Sequence, residues 1–152
     1  MPATSILEIN ALASKIFDVA VDLQSYDEWL PNSTSFPGIT SISESPAKLG
    51  TAYVESTPFG IRHGKVLEFS RPSKVLFHQP MQLNTAPEGV LIDIKVEVIL
   101  REKGEGVTEV ERNVYLEFPE PLLELKPIFE NGAGEEGARV MELLKKRVES
   151  LE

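Results

Sequence analysis

The sequence predicts an α+β fold in which one curved antiparallel sheet of seven strands wraps a long C-terminal helix. Three observations predict it: a strictly alternating strand at 90–101, an amphipathic helical stretch at 135–151, and two short helical segments after the first strand. A sheet with one apolar face must cover that face. The C-terminal helix is the only long element left to do so.

The N-terminal elements are a strand at 5–10 and two short helices. The first helix is indicated by two i, i+4 apolar pairs, Ile16 with Ala20 and Phe17 with Val21. Ser14 is its predicted N-cap. The segment 23–32 predicts a second short helix, which a proline and a polar turn end.

From 38 to 118 the signals are almost all those of strands and turns. In the strand at 90–101 the even positions are apolar and the odd positions are mostly charged, which is typical of a sheet with one wet face. The loop at 102–106 makes a hairpin with the strand at 107–118. The facing of 51–69 stays open, because two registers fit equally well. The other predicted strands are 39–44, 51–56, 61–69 and 75–79.

The C-terminal segment carries one apolar stripe, formed by Val140, Met141, Leu144, Val148 and Leu151. The start of this helix is open: it begins either near Pro127 or only after Gly134. Three glycines lie between 132 and 137, and each weakens a helix by about 0.5–1 kcal/mol relative to alanine.

Composition excludes several functions. The net charge is −9, from 15 Lys and Arg against 24 Asp and Glu, which argues against binding nucleic acid or an anionic membrane surface. Cysteine is absent and only two histidines occur, so we predict no metal and no other cofactor. We find no signal or membrane-spanning segment. We therefore expect one cytoplasmic domain over 1–152, and the oligomeric state stays open.

Three segments also carry a resemblance: IFDVAVDLQSYDEWLP at 16–31, KVLEFSRPSKVLF at 65–77 and MELLKKRVE at 141–149. Together they resemble the START-related, Bet v 1-like (SRPBCC) superfamily, most of all its polyketide cyclase/dehydrase and lipid-transport group. The resemblance implies a helix-grip fold with an internal cavity for lipids, sterols, hormones or polyketides. It also implies that Trp29 is a structural plug beneath the sheet, rather than a residue that stacks on a ligand.

A bent sheet that grips one helix tends to leave space for an apolar ligand between them. Arg112 shares its strand parity with Val110 and Val114, and a buried guanidinium is costly unless it is paired. It therefore anchors a carboxylate, enol or carbonyl in the cavity, turns outward at a bulge, or pairs with an inward carboxylate such as Glu68. The predicted apolar wall consists of Val96, Val98, Val114, Leu116, Val140 and Leu144.

The remaining polar candidates for the cavity are His63, His78 and Tyr53. Each histidine is explained more readily as a surface or structural residue, and nothing pairs either one with a serine and an aspartate. Tyr53 lies in the segment of open register. Phe36 and Phe59 lie in predicted loops, where they either close a pocket mouth or pack on the rim of the sheet.

The favoured function is binding of a hydrophobic small molecule (a lipid, polyketide or similar) between the sheet and the C-terminal helix. One alternative is a cyclase or dehydratase that holds a reactive chain in a near-attack shape, with Arg112, His63 and His78 as the candidates for moving protons. A polar cluster inside the cavity would favour this enzyme. The other alternative is a protein-interaction or chaperone-regulator module, which a collapsed core without a cavity would favour.

Overall fold

The computed structural model describes residues 2–31, 41–43 and 47–151. Within these residues eight strands form one antiparallel sheet that curves around a long C-terminal helix. Two α-helices are present, α1 (Ala13–Ala20) and α2 (Lys126–Ser150), with 3-10 helices at Leu23–Glu28 and Glu120–Leu125. The strands are β1 (Ala3–Ile9), β2 (Ser41–Ile42), β3 (Ala52–Thr57), β4 (Gly60–Ser70), β5 (Lys74–His78), β6 (Met81–Leu83), β7 (Leu91–Gly104) and β8 (Val107–Glu117).

The strand order is β1-β8-β7-β5-β4-β3-β2, and the short β6 pairs with both β4 and β7. Helix α2 lies against β1, β8 and α1. This arrangement confirms the predicted α+β helix-grip fold. The seven predicted strands are all present in part or whole, and β6 is the additional one. Of the predicted strand at 39–44, positions 39, 40 and 44 lie outside the described residues.

The hairpin of β7 and β8 supplies the longest stretch of regular pairing. The even residues of β7 from Ile92 to Leu100 are buried, as their alternation predicts. The turn passes through Gly104, Glu105 and Gly106, which all have positive φ. Glycine adopts this backbone conformation without steric cost, and the tight turn brings the inward residues of β7 and β8 side by side.

The structure shows which side chains of β3 and β4 face inward, a point that the sequence leaves open. Tyr53 and Glu55 of β3 and Arg62 of β4 are buried. The Tyr53 ring covers Gly64, where an added Cβ would lie 2.2 Å from the ring carbon Cζ. Glycine is thus the residue that lets this ring lie flat against the neighbouring strand.

A β-bulge between Val66 and Glu68 changes the facing of β4 partway along its length. Such a bulge adds one residue to a strand and shifts the alternation of the residues that follow. Val66 is buried before the bulge, and Phe69 faces inward after it. Phe69 meets the buried Phe17 edge to face, with ring centroids 5.1 Å apart.

Helix α2 begins at Lys126, the earlier of the two predicted starts, with Pro127 in its first turn. Proline is favoured there because its missing N–H has no partner to lose. Helix α1 begins at Ala13, and the cap position is Leu12 without a side-chain cap bond. The prediction of Ser14 as N-cap is therefore wrong. Among the described residues, no helix is long and apolar enough to cross a membrane.

Candidate functional site

A cavity of about 580 Å³ lies between the sheet and α2. Its wall is built from the first 3-10 helix, from strands β3 to β8 and from α2 between Ile128 and Leu144. Most of its lining side chains are aliphatic or aromatic. Small-molecule sites in proteins have volumes of roughly 300–1,000 Å³ with mainly apolar walls and few polar groups, and this cavity has the same character.

Eight of the ten candidate residues line this cavity. They do so because the inward positions of β7 and β8 have the same parity as their buried neighbours, and because the stripe of α2 faces the sheet. The eight are Tyr53, Val96, Val98, Arg112, Val114, Leu116, Val140 and Leu144.

The structure corrects the placement of the two histidines, since neither lines the cavity. His63 is exposed because it lies between Arg62 and Gly64, which both face inward. His78 follows the inward Phe77 and therefore points to the outer face of the sheet. There its Nε2 lies 2.5 Å from the Asp93 carboxylate. Neither histidine is placed to move a proton within the cavity.

Arg112 enters the cavity from the middle of β8, where the sheet pairs it with Ser5 of β1 and Val98 of β7. Pairing is regular at this position, so no bulge turns it outward. Glu68 is not its partner, because that carboxylate pairs with Lys74 at 3.0 Å outside the sheet. Burial lowers the pKa of Arg112, although nearby tyrosine and glutamate side chains oppose the shift.

Two further charged residues of the cavity, Glu55 and Arg62, form an ion pair across β3 and β4. Their exposed fractions are 3% and 9%, and each Glu55 oxygen accepts a hydrogen bond from Arg62 at 3.3 Å. Burial raises the pKa of Glu55, and Arg62 partly offsets that rise. The sequence analysis missed both residues, and the signal that finds Glu55 is its position two residues after Tyr53.

Glu136 is a third charged residue that the sequence analysis missed. Its two carboxylate oxygens accept hydrogen bonds from Nε and Nη2 of Arg139, both at 2.9 Å. It lies one helical turn before Val140 and two before Leu144, so the i, i+4 stripe already passes through it. Extending the apolar stripe of α2 by one turn finds this residue.

Tyr53 and Trp29 are aromatic residues of the cavity wall, and each contacts a neighbouring side chain. The Tyr53 hydroxyl donates a hydrogen bond to Oε1 of Gln79 at 2.5 Å, and burial raises the pKa of Tyr53. Trp29 packs on Tyr26 with ring centroids 4.8 Å apart. Trp29 also packs against the hydrophobic core and forms part of the cavity wall.

The mouth of the cavity is bordered by the β3–β4 turn, the β6–β7 loop and the start of α2. Phe59 in the turn and Ile128 in the helix are 56% and 69% exposed. The turn and the loop are tied together, because the Asn84 backbone N–H donates to Phe59 O at 2.8 Å and its side chain donates to Pro58 O at 3.0 Å. Phe36, the other predicted rim residue, lies outside the described residues.

No family model matches the chain, and no curated protein matches it either. Solved structures do. A START superfamily protein from Mycobacterium smegmatis has a TM-score of 0.65 at 17% identity, over 99% of each chain. Norcoclaurine synthase from Thalictrum flavum has a TM-score of 0.74 at 15% identity, over 100% of this chain and 95% of that one. DynU16, from the dynemicin biosynthetic locus, has a TM-score of 0.66 at 11% identity, over 98% of this chain and 47% of that one.

The sheet, the long helix and the cavity between them define a helix-grip protein. Its fold is that of the START-related, Bet v 1-like superfamily, as the resemblance predicts. At identities of 11–17% the similarity is one of fold.

Proposed function

We propose that this protein binds a hydrophobic small molecule, such as a lipid or a polyketide, in the cavity between the sheet and α2. The observation that carries the proposal is an apolar space of about 580 Å³ with Arg112 reaching into it. Arg112 holds the polar end of the ligand, because a guanidinium binds a carboxylate, enol or carbonyl oxygen through directed hydrogen bonds.

The apolar wall supplies the affinity for such a ligand. Removing apolar surface from water stabilises a complex by about 25 cal/mol per Å², and the side chains of β7, β8 and α2 offer that surface on both sides of the cavity. The wall alone selects little beyond size and hydrophobicity, because dispersion and hydrophobic contacts are not directional. Orientation therefore depends on the polar groups.

Two variants of one helix test the proposal. Ala133 lines the cavity, whereas Ala138 lies on the exposed side of α2. We expect the neutral dye N-phenylnaphthylamine to gain fluorescence with the wild-type protein, and we expect Ala133→Trp to abolish that gain by filling the cavity. Ala138→Trp is the matched control and should bind the dye as the wild type does.

Thermal unfolding of both variants shows whether the fold has survived the substitution. Equal dye binding by Ala133→Trp and Ala138→Trp, with both proteins folded, would contradict the proposal, since the dye would then occupy another surface. An absence of dye binding by the wild type would contradict it as well.

A specific observation favours a second candidate, an enzyme of the cyclase or dehydratase type. The cavity holds Glu55, Arg62, Arg112, Tyr53 and Glu136 together, and a carboxyl whose pKa is raised by burial is suited to general acid–base catalysis near neutral pH. In this candidate Glu55 replaces the histidines as the group that moves a proton. Norcoclaurine synthase, similar in fold, has been solved with dopamine and hydroxybenzaldehyde.

Native mass spectrometry distinguishes the two candidates. Binding predicts an added mass in the range of a small lipid or polyketide, which denaturing extraction releases and which rebinds unchanged. A released molecule that differs in mass after a second incubation with the protein would instead support the enzyme. The cavity itself counts against a protein-interaction module, because such a module is expected to have a collapsed core without a cavity.

A further inference from the structure

The charged side chains in and beside the cavity include one more cation than anions. Among the described residues, Glu55, Arg62, Arg112 and Glu136 line it, and Arg139 pairs with Glu136 without lining it. Glu55 and Arg62 neutralise each other through a bidentate pair. Glu136 is neutralised by Arg139, again through two hydrogen bonds.

Arg112 is the cation that these pairs leave over. Within the described part of the chain its guanidinium makes no hydrogen bond and no ion pair. Every side-chain nitrogen or oxygen there that is fully inaccessible to solvent has a hydrogen-bond partner, so the nitrogens of Arg112 are not among the inaccessible atoms. Its nitrogens therefore border open space, and that space is the cavity. Five N–H donors on a planar group are available to whatever occupies it.

Helix α2 comes close to the guanidinium at Gly137. A Cβ added at Gly137 would lie 3.4 Å from the Arg112 Nη1 atom and 2.8 Å from the Ser5 Oγ atom. The helix backbone thus approaches β1 and β8 closely and limits the movement of Arg112 on that side. A side chain that is already restricted on one side loses less conformational entropy when the ligand arrives.

An anion is the ligand group that corrects this imbalance. A partly buried charge without an ion-pair partner is costly, so a neutral ligand leaves the cost in place and a cationic one adds repulsion. The net charge of the whole chain, −9, disfavours anions at long range. Selection for an anion therefore comes from Arg112 at contact distance rather than from the field of the protein.

Resting on the proposed function, we propose that the ligand is a mono-anionic amphiphile, an apolar body with one planar oxyanion that binds the Arg112 guanidinium. A carboxylate fits best, because its two oxygens match two parallel N–H donors. One charge is specified rather than two, since a second anion would stand without a partner near Glu55 and Glu136.

Two dyes with the same ring system test the charge separately from the cavity. Anilinonaphthalene sulfonate carries one anion, and N-phenylnaphthylamine carries none. We expect Arg112→Gln to weaken binding of the sulfonate by about tenfold or more, the loss of at least one charge-assisted hydrogen bond, and to leave binding of the neutral dye unchanged. Arg112→Lys should retain part of the preference for the sulfonate, because it keeps the charge but loses the planar fork.

Arg101→Gln is the matched control, since it removes the same charge from an arginine on the outer side of β7, where it is 46% exposed. This substitution should leave the binding of both dyes unchanged. Displacement of the neutral dye gives an independent measurement with three ligands of equal chain length. We expect lauric acid to displace it at lower concentration than dodecanol, and dodecylamine to displace it least.

The outcomes separate this inference from the proposed function. If the neutral dye binds but Arg112→Gln weakens the sulfonate no more than Arg101→Gln does, the ligand charge is wrong and the cavity stands. The same holds if dodecanol displaces the dye as well as lauric acid. If neither the neutral dye nor dodecanol binds the wild type, the proposed function itself fails.

Discussion

Polar residues at inward strand positions distinguish this interior from an ordinary hydrophobic core. Glu55 lies two residues after the buried Tyr53, and Arg62 and Arg112 each lie between buried residues two positions away on both sides. Interior charges are rare in proteins unless they are paired or functional. Two of these three pair with each other, and Arg112 faces the cavity. The departure from the binary pattern therefore coincides with the candidate site.

Glu55 gives the protein a pH-dependent stability of predictable sign. Its pKa in the folded protein is raised above its usual 4.5, so the folded state binds the proton more readily than the unfolded chain. The free energy of unfolding of the wild type relative to Glu55→Gln should rise as the pH falls from 7 through the raised pKa, and level off below 4.5. Urea denaturation across this range measures it.

Comparison with Glu55→Gln cancels the other titrating groups. Asp18, Glu97, Glu111 and Glu149 have lowered pKa values, so their contributions run the opposite way, but they are common to both proteins. A difference that is flat, or that rises with pH, would show that Glu55 keeps its charge in the fold at no cost.

Arg112 should cost stability in the empty protein. Replacing it by methionine removes a half-buried cation that has no ion-pair partner among the described residues while keeping an unbranched apolar stem. We expect Arg112→Met to raise the free energy of unfolding by about 1 kcal/mol or more. A loss of stability of that size in chemical denaturation would mean that Arg112 is held by interactions worth more than its desolvation.

At the scale of elements, α2 is shaped by glycines with opposite roles. Gly137 is buried against Ser5 and Arg112, whereas Gly134 is exposed with no atom within 4 Å of an added Cβ. Both lower the intrinsic helix stability. Only at Gly137 is this loss of stability offset, because the missing side chain allows α2 to pack closely on β1 and β8.

Alanine at these two positions should therefore have opposite effects. We expect Gly134→Ala to raise the free energy of unfolding by about 0.5–1 kcal/mol, since alanine restricts the unfolded chain and favours helix. Gly137→Ala should lower it by about 1–3 kcal/mol through overpacking. Equal changes of the same sign in thermal denaturation would contradict the close packing at Gly137.

The elements also show where sequence reasoning succeeds. The facing of β7 and β8 follows from strict alternation, and it is enough to place Val96, Val98 and Arg112 at the cavity. In β4 the alternation is regular up to the bulge between Val66 and Glu68, but two of its inward positions are Gly60 and Gly64, which give no apolar signal. Arg62 lies between these glycines and pairs with Glu55 of β3, and a local pattern contains no information on such a cross-strand partner.

At the scale of the whole molecule, charged residues on the outer face of the sheet differ in their surroundings from those on its inner face. The outer face carries a ladder of ion pairs, such as Arg101 with Glu109 and Glu111 at 3.0 Å each. Exposed pairs of this kind contribute little to stability, because water and salt screen them. The inner face carries few charges, yet their desolvation gives them larger consequences. We therefore propose that the function depends on the inner face of the sheet.

The most direct test of a ligand in this cavity is NMR of methyl-labelled protein with N-phenylnaphthylamine. We predict intermolecular NOEs from the dye to the methyl groups of Val98, Leu116 and Leu144, which line opposite walls of the cavity. The exposed outer residues Leu67 and Leu91 should show none. NOEs confined to such outer methyl groups would contradict the account, because the dye would then bind a surface and leave the cavity empty.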